Sequence, residues 1–132
     1  MENENVNKMK EFFARDLFAE ACGVVIEEVT DEYAVCSAEI TDMTLNAGDK
    51  VQGGMIFTLA DLTFSVLANH LHPVTVTQFA SISYLNAAVG KKLYAKAVEI
   101  SRSKRNAVYE VTVTNDEGLT VAIMQANGFI AG

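Results

Sequence analysis

The first forty residues show one helical pattern followed by a strand-like one. Apolar residues recur at close to helical spacing between positions 8 and 21: Met9, Phe12, Phe13, Leu17 and Ala21. This spacing predicts an amphipathic helix that ends at Gly23. Residues 24 to 41 then contain two runs rich in β-branched residues, VVIEEV and YAVCSAEI, with a DEY turn between them. Two short strands are predicted there.

The segment MIFTLADLTFSVLAN, residues 55 to 69, is apolar on every face and long enough for about four helical turns. Such a helix is expected to be buried on all sides, so the rest of the chain must surround it. Four later segments have strand composition, PVTVTQFASISYLN, KLYAKAVEIS, NAVYEVTVT and LTVAIMQANGFIA, and NDEG with Gly118 predicts a hairpin between the last two. The order predicts an α+β fold, one domain over residues 1–132, with a curled antiparallel sheet wrapped around one long apolar helix.

Asp61 lies in the middle of this helix and is the only charged side chain between residues 51 and 90. An ionised carboxylate in a buried helix is costly unless it is hydrogen-bonded or paired. It lies about two turns inside the helix, too far from the free N–H groups for a capping role. A solvent-facing position, a structural carboxylate and a functional site remain open, and the sequence favours the functional site.

Gly53 and Gly54 come immediately before the apolar run. The first N–H groups of a helix have no partner within the helix, and glycine lets a ligand approach them closely. Together with the helix dipole, such N–H groups stabilise a developing oxyanion. Because paired glycines are also common at an ordinary helix start, they indicate a site only in combination with Asp61.

Composition limits the classes of protein and partner. The chain of 132 residues is 50% hydrophobic and 20% charged, as globular proteins are, and its net charge of −7 argues against nucleic acid as a partner. The N-terminal segment lacks the order of a signal peptide, and no apolar run reaches membrane-spanning length, so we expect a cytoplasmic protein with no membrane partner. Cys22 and Cys36 are expected to be reduced core residues rather than a disulfide.

The stretch NAGDKVQGGMIFTLADLTFSVLAN resembles the signature of the hotdog-fold acyl-CoA thioesterases, in particular the PaaI-type group of the phenylacetate pathway. The resemblance covers nearly the whole chain, and the fold it implies agrees with the order of elements above. It implies hydrolysis of the thioester of an aryl- or short- to medium-chain acyl-CoA. It implies no metal or redox cofactor, because coenzyme A enters only as part of the substrate. It also implies a homo-oligomer, a dimer or tetramer, with sites at the subunit interface.

The same resemblance implies roles for individual residues. Asp61 is similar to the catalytic carboxylate, acting as general base or nucleophile, and Gly53 is similar to the residue whose N–H polarises the thioester carbonyl. Asn46 resembles the loop asparagine that positions substrate or water. Thr77 resembles a serine or threonine that reaches the site from the neighbouring subunit, with Thr75 as its rival.

Gln52 departs from the family pattern, which usually has histidine at this position. Glutamine keeps a hydrogen-bond donor but cannot exchange a proton near neutral pH. The reaction class is therefore expected to persist with a changed rate or substrate, and a non-catalytic acyl-CoA or aromatic-ligand binding protein is the alternative. A hotdog hydratase is disfavoured, because no histidine follows Asp61 closely on the helix and position 66 is Val66.

Six of the ten basic residues lie close together in sequence: Lys91, Lys92, Lys96, Arg102, Lys104 and Arg105. They suit either the phosphates of coenzyme A or the protection of exposed strands. The candidates for phosphate binding are Lys91, Arg102, Lys104 and Arg105. His70 and His72 form an HxH pair, but no third ligand is spaced to join them, so no metal site is expected.

Overall fold

The protein folds as a six-stranded antiparallel sheet curled around one long helix, and the structure, a computed structural model, describes residues 2–132. Two short helices come first, α1 (Glu2–Phe12) and α2 (Leu17–Ala21), followed by β1 (Val25–Val29) and β2 (Tyr33–Glu39). A 3₁₀ turn, Asp42–Thr44, leads to the long helix α3 (Gly53–Leu71). Four further strands follow: β3 (Thr75–Tyr84), β4 (Lys92–Arg102), β5 (Asn106–Asn115) and β6 (Thr120–Ile130). The predicted α+β hotdog architecture is confirmed.

The prediction of one helix over residues 8–21 is wrong, because the chain breaks between α1 and α2. Asp16 explains the break: its Oδ1 accepts a hydrogen bond from Ala19 N at 3.1 Å and caps a new helix. Such a local side-chain bond competes with the continuation of α1. The end of α2 agrees with the prediction, since Gly23 follows it with a positive φ of 79°.

The strands lie in the order β1-β2-β4-β5-β6-β3, and all neighbours are antiparallel. The predicted hairpin between β5 and β6 is present, with Gly118 at a φ of 83°. Strand β3 pairs with β6 and forms one edge of the sheet. Tyr84 at the end of β3 contacts Gly53, and Thr75 at its start contacts Asn69. Helix α3 therefore runs antiparallel to β3.

Small side chains line the face of the sheet that holds α3. Seven alanines on the strands are at most 1% exposed: Ala34, Ala38, Ala95, Ala97, Ala107, Ala122 and Ala126. They let the helix lie close to the sheet, and the Phe64 ring fills the space over Tyr109, edge to face, with centroids 5.2 Å apart. Cys36 is buried among them, and it and Cys22 are free thiols, as predicted.

Helix α3 is not buried on every side, contrary to the sequence prediction. Eleven of its 19 residues are buried, but one stripe along it is uncovered: Gly54, Phe57, Thr58, Asp61 and Ser65. We call this the open stripe. By length and composition α3 is also apolar enough to cross a membrane, which the sequence analysis did not expect. Its packing inside the sheet identifies it as the core helix.

Strand β3 is an unprotected edge. Seven of its ten residues are exposed, and its apolar side chains Val76 and Phe79 are 49% and 59% exposed. The opposite edge differs, because β1 is only five residues long and α1 packs against it. A long exposed edge is a surface on which a second strand can pair.

Candidate active site

The start of α3 presents a backbone N–H group without a partner. The backbone of Gln52 is fixed on both sides, since its N–H donates to Thr44 O at 2.7 Å and its carbonyl accepts from Met55 N at 2.9 Å. The Gln52 side chain caps Gly54, whose N–H lies 3.4 Å from Oε1. Among residues 2–132, nothing accepts a hydrogen bond from Gly53 N. This N–H points out of the positive end of the helix dipole and can bind an anion or a polarised carbonyl.

Tyr84 fixes the position of Gly53. Its hydroxyl donates to Gly53 O at 3.0 Å, and its ring lies against the glycine. A Cβ at Gly53 would lie 3.4 Å from Tyr84 Cζ, at the close limit of van der Waals contact. Glycine therefore leaves the space between Tyr84 and the helix start open, so that the N–H stays accessible.

Asn46 organises the loop before α3. Its Oδ1 accepts from Gly48 N at 2.8 Å and from Lys50 N at 3.2 Å, which closes the turn NAGDK. The oxygen is occupied in this way, while Nδ2 makes no hydrogen bond to the described residues. Asn46 and Gly53 both line a cavity of about 330 Å³, together with Lys50 and Tyr84. We call this the small cavity.

A larger cavity, of about 790 Å³, lies on the other side of the α3 N-terminus. Its walls come from α2, β1, β2, the 3₁₀ turn, the first two turns of α3 and the start of β4. Residues from α3 and its cap include Gln52, Gly54, Met55 and Thr58. Opposite them lie apolar side chains of other elements: Phe18, Ala21, Val25, Ala38 and Met43. The two cavities therefore flank Gly53.

Asp61 is half-buried on the open stripe, one turn beyond Thr58. Its carboxylate makes no hydrogen bond or ion pair with any residue of the described chain. Burial raises its pKa above the ordinary value, and the negative charge of Asp16 raises it further. An unpaired carboxylate with a raised pKa is a suitable general base, because its affinity for a proton is increased.

Gly53 and Asp61 do not meet within one protomer. They are eight residues apart on a continuous helix, which corresponds to about 12 Å along its axis. An oxyanion donor and the base or nucleophile must each lie about 3 Å from the reacting group. The two residues of one chain are too far apart to act on the same thioester.

The structure separates the two candidate threonines. Thr75 is buried, its hydroxyl donates to His72 O and its N–H donates to Asn69 Oδ1, so it holds the α3–β3 connection. Thr77 is exposed on the β3 edge, and its hydroxyl makes no hydrogen bond to the described residues. Of the two, Thr77 is the one available to a ligand or a second subunit.

The basic residues do not form one cluster. Lys91 and Lys92 lie at the start of β4, whereas Arg102 ends it and Lys104 and Arg105 belong to the following turn. Ten residues of extended strand separate the two groups by about 33 Å. Within one protomer, Lys91 cannot share a ligand with the other three.

Two of the basic residues are already paired with carboxylates, which leaves fewer of them available to a phosphate. Lys92 lies 3.6 Å from Glu27, and Arg102 lies 3.9 Å from Glu99. The histidines also diverge, since His70 contacts Asp31 and His72 contacts Glu99, each at 2.8 Å. No group of metal-binding side chains occurs among the residues the structure describes.

Sequence reasoning missed Tyr84, Lys50 and the walls of the larger cavity. Tyr84 ends an ordinary strand pattern, and only the fold brings it to Gly53. Lys50 lies two residues before Gln52, but a single lysine in a polar loop carries no signal of a site. The cavity is assembled from six separate elements, so no local sequence pattern predicts it.

Comparisons with known proteins identify the family. A family model described as the thioesterase superfamily matches residues 50–122, which include α3 and three of the strands that hold it. The acyl-coenzyme A thioesterase PaaI of Escherichia coli K12 is 28% identical over 121 residues, which is 91% of this chain and 86% of that protein.

Solved structures share the fold. The PaaI protein of the E. coli phenylacetic acid degradation operon has a TM-score of 0.91 at 24% identity, covering 100% of this chain and 96% of that one. A thioesterase protein from Streptococcus pneumoniae, solved with coenzyme A, has a TM-score of 0.80 at 27% identity, covering 91% and 97%.

Proposed function

Because this chain belongs to the thioesterase superfamily and is a thioester hydrolase, we propose that it hydrolyses an acyl-CoA. A relative named as an acyl-coenzyme A thioesterase and a similar structure that holds coenzyme A support this substrate class. The acyl group is aryl or short- to medium-chain, and the reaction consumes water without a metal or redox cofactor. The observation that carries the proposal is the N–H of Gly53, on the same helix as the Asp61 carboxylate, since neither group has a partner among the residues the structure describes.

Gly53 N–H donates a hydrogen bond to the thioester carbonyl oxygen and stabilises the negative charge that develops on it. Gln52 supports this, because its Oε1 is directed to Gly54 N and its NH₂ group is left to donate to substrate. Unlike histidine, this amide cannot deliver a proton. Gln52 therefore orients the carbonyl and takes no part in proton transfer.

Asp61 acts by one of two routes. As general base it takes a proton from water while the hydroxide adds to the carbonyl carbon; the C–S bond then breaks, and the proton passes to the departing thiolate. As nucleophile its carboxylate forms an anhydride with the acyl group, the thiol leaves, and water then cleaves the anhydride. A single turnover in ¹⁸O-water separates them, since a product without label requires the anhydride.

The complete site requires two protomers, because Gly53 and Asp61 of one chain are about 12 Å apart. The free β3 edge offers a way to dimerise, by antiparallel pairing with β3 of a second copy about a two-fold axis. In such a dimer the two α3 helices also lie antiparallel to each other. Each Gly53 then lies towards Asp61 of the partner subunit. The dimer also covers the open stripe, and apolar residues on the outer face of the sheet, such as Ile123, favour a tetramer.

The same pairing gives the other candidate residues a role. The start of one β3 strand lies beside the end of the other, which is where Tyr84 holds Gly53. Thr77 near the start of β3 would approach the site from the partner. Lys104 and Arg105 are close to the start of β3, because Arg105 O accepts from Ile130 N and Ile130 pairs with Thr75. These cations are our candidates for the coenzyme A phosphates.

The test of activity is thiol release from a panel of acyl-CoAs, with Asp61→Asn as the control. We expect turnover by the native protein and a loss of at least about 100-fold in Asp61→Asn. The substitution of Gln52 for histidine favours the second candidate function, acyl-CoA or aromatic-ligand binding without turnover. Acyl-CoA binding with no thiol release from any member of the panel would select that function.

The test of the shared site is a mixture of two inactive subunits. Co-expressed Asp61→Asn and Gly53→Val chains form hybrid dimers with one intact pair of Gly53 and Asp61. Random pairing makes half of the dimers hybrid, so about a quarter of native activity returns if the site spans two chains. A site contained within one protomer would give none, because every chain then lacks either the Asp61 carboxylate or an N–H at position 53 that the substrate can reach past the valine side chain.

A further inference from the structure

We propose that the larger cavity between α2 and α3 is the acyl site, and that it selects apolar acyl groups without polar substituents. This inference rests on the proposed function only for the position of the thioester at Gly53. Its volume of about 790 Å³ falls within the range of ligand sites, about 300–1,000 Å³. No residue from its far walls appears in the sequence signature that surrounds Gly53 and Asp61.

The cavity adjoins the reacting position. Gln52 and Gly54, the neighbours of Gly53 in sequence, both line it, and Thr58 continues the wall towards Asp61. The small cavity lies on the other side and contains Gly53 itself. A thioester bound to Gly53 N–H therefore has one cavity for each of its two arms.

The polar content of the walls decides which arm enters which cavity. The small cavity presents the amide side chains of Asn46 and Asn86, the ammonium of Lys50 and the hydroxyl of Tyr84. These groups suit the amide-containing pantetheine arm. The larger cavity is walled mainly by Phe18, Val25, Met43 and Met55 together with alanines, which suit a hydrocarbon.

Most of the polar side chains of the larger cavity that are not exposed to solvent are engaged with one another or with the backbone. Ser37 donates to Glu27, which also pairs with Lys92. Thr58 Oγ1 donates to Gly54 O at 2.8 Å. A hydroxyl on the acyl group would thus enter without a ready partner.

Thr44 is engaged in the same way, since its Oγ1 donates to Thr41 O at 2.8 Å and accepts from Thr41 N at 3.1 Å, whereas the Thr41 and Gln52 side chains are exposed to solvent. Glu39 is exposed on the cavity lining and carries a negative charge. Lys92, the cation of this lining, is paired with Glu27, so an acyl group that ends in a carboxylate would meet the charge of Glu39 as well as apolar walls. The cavity therefore disfavours both hydroxylated and dicarboxylic acyl groups.

The size of the preference follows from burial. Each buried methylene improves affinity by roughly fourfold, so kcat/KM should rise by about that factor per carbon until the cavity is filled. An apolar pocket discriminates less sharply against an added hydroxyl, by up to about 100-fold. A site built to bind a hydroxyl would instead prefer the hydroxylated acyl group, and the ratio of the two kcat/KM values would be larger.

Val25→Trp is the test variant, because Val25 lines the larger cavity yet is 46% exposed and so tolerates a larger side chain. Ile100→Trp is the matched control: Ile100 is also β-branched, lies on a strand, is 56% exposed and lines neither cavity. The substrates are straight-chain acyl-CoAs of about four to ten carbons. Phenyl-bearing acyl-CoAs with and without a ring hydroxyl, and one dicarboxylic acyl-CoA, complete the panel.

Two readouts separate this inference from the proposed function. Thiol release gives kcat/KM, and calorimetry gives the affinity of non-hydrolysable thioether analogues. We expect Val25→Trp to remove the chain-length dependence in both, with at least a tenfold loss for the longest chain and little change for the shortest. Ile100→Trp should keep the native profile.

Each result of these experiments bears on either the acyl site, its selectivity or the proposed function. Loss of chain-length dependence in analogue binding supports the acyl site even if nothing is hydrolysed, in which case only the proposed function fails. If the native protein hydrolyses acyl-CoAs and Val25→Trp keeps the same chain-length dependence, the acyl site is overturned and the proposed function stands. A native preference for the hydroxylated or dicarboxylic acyl-CoA overturns the selectivity.

Discussion

Replacing Asp61 with asparagine tests the chemistry and the energetics of the site together. Asparagine has nearly the shape of aspartate but carries no charge and cannot act as base or nucleophile. Since Asp61 makes no hydrogen bond or ion pair within the described chain, the change removes no intramolecular contact. The variant is therefore expected to fold normally, and its effects report the carboxylate alone.

Activity should fall strongly. Proton transfer by a positioned side chain contributes about 10²–10⁴-fold to rate, so kcat is expected to fall by that factor. KM should change little, because Gly53 N–H and both cavities are untouched. A fall in kcat with retained KM identifies an interaction that is made only in the transition state.

Stability should change in the opposite direction. Burial raises the pKa of Asp61 in the folded chain, so the folded state holds the proton more tightly than the unfolded one. Below the unfolded pKa of about 3.9 both states are protonated and the residue costs nothing. As the pH rises from that value through the folded pKa, ionisation of the half-buried carboxylate destabilises the fold, and above it the cost is complete. Asparagine removes this cost.

The assay is thermal unfolding of both proteins at neutral pH and at about pH 3.5, beside steady-state kinetics. The melting temperature of Asp61→Asn should exceed that of the native protein at neutral pH, and the gap should close at the acidic end. A variant that is less stable at neutral pH would show that Asp61 has a structural partner. Unchanged kcat would remove Asp61 from the mechanism.

Three further substitutions probe neighbouring residues. Asp16→Asn keeps a good helix cap but removes the negative charge that raises the pKa of Asp61, so the acidic limb of kcat/KM against pH should move to lower pH; an unmoved limb would contradict the coupling. Tyr84→Phe loses the hydrogen bond to Gly53 O, and we expect urea unfolding to show a loss of about 1 kcal/mol together with reduced kcat; full retention of both would show that the bond is dispensable. Gln52→His introduces a titrating donor, and kcat/KM should acquire a limb near pH 6.5, absent from the native profile.

The hydrophobic pattern predicted most of the fold because strands and a long apolar helix have different periods and compositions. The break before α2 was missed, because one side-chain bond from Asp16 outweighs an apolar spacing that continues across it. The open stripe was missed for a different reason. Apolar composition shows that Phe57 avoids water, but it cannot show whether the chain's own sheet or a second copy covers it.

The site was predictable where its parts are close in sequence. Gln52, Gly53 and Asp61 lie on one cap and one helix, so a single stretch carries them. The basic residues were grouped wrongly, because neighbours in sequence lie about 33 Å apart at the two ends of the extended strand β4. Residues that converge only through the sheet, such as Tyr84, leave no signal in a local pattern.

The alanines beneath α3 have a consequence for how mutations in this protein should be interpreted. Where alanine methyl groups are the spacers between sheet and helix, there is little room for the helix to accommodate an added carbon by rolling or sliding. Enlarging a strand residue far from the substrate would lift α3 bodily and carry its amino-terminal amide away from the incoming acyl group. Enlarged residues in the middle of the sheet should accordingly lower activity before they measurably lower the stability of the fold.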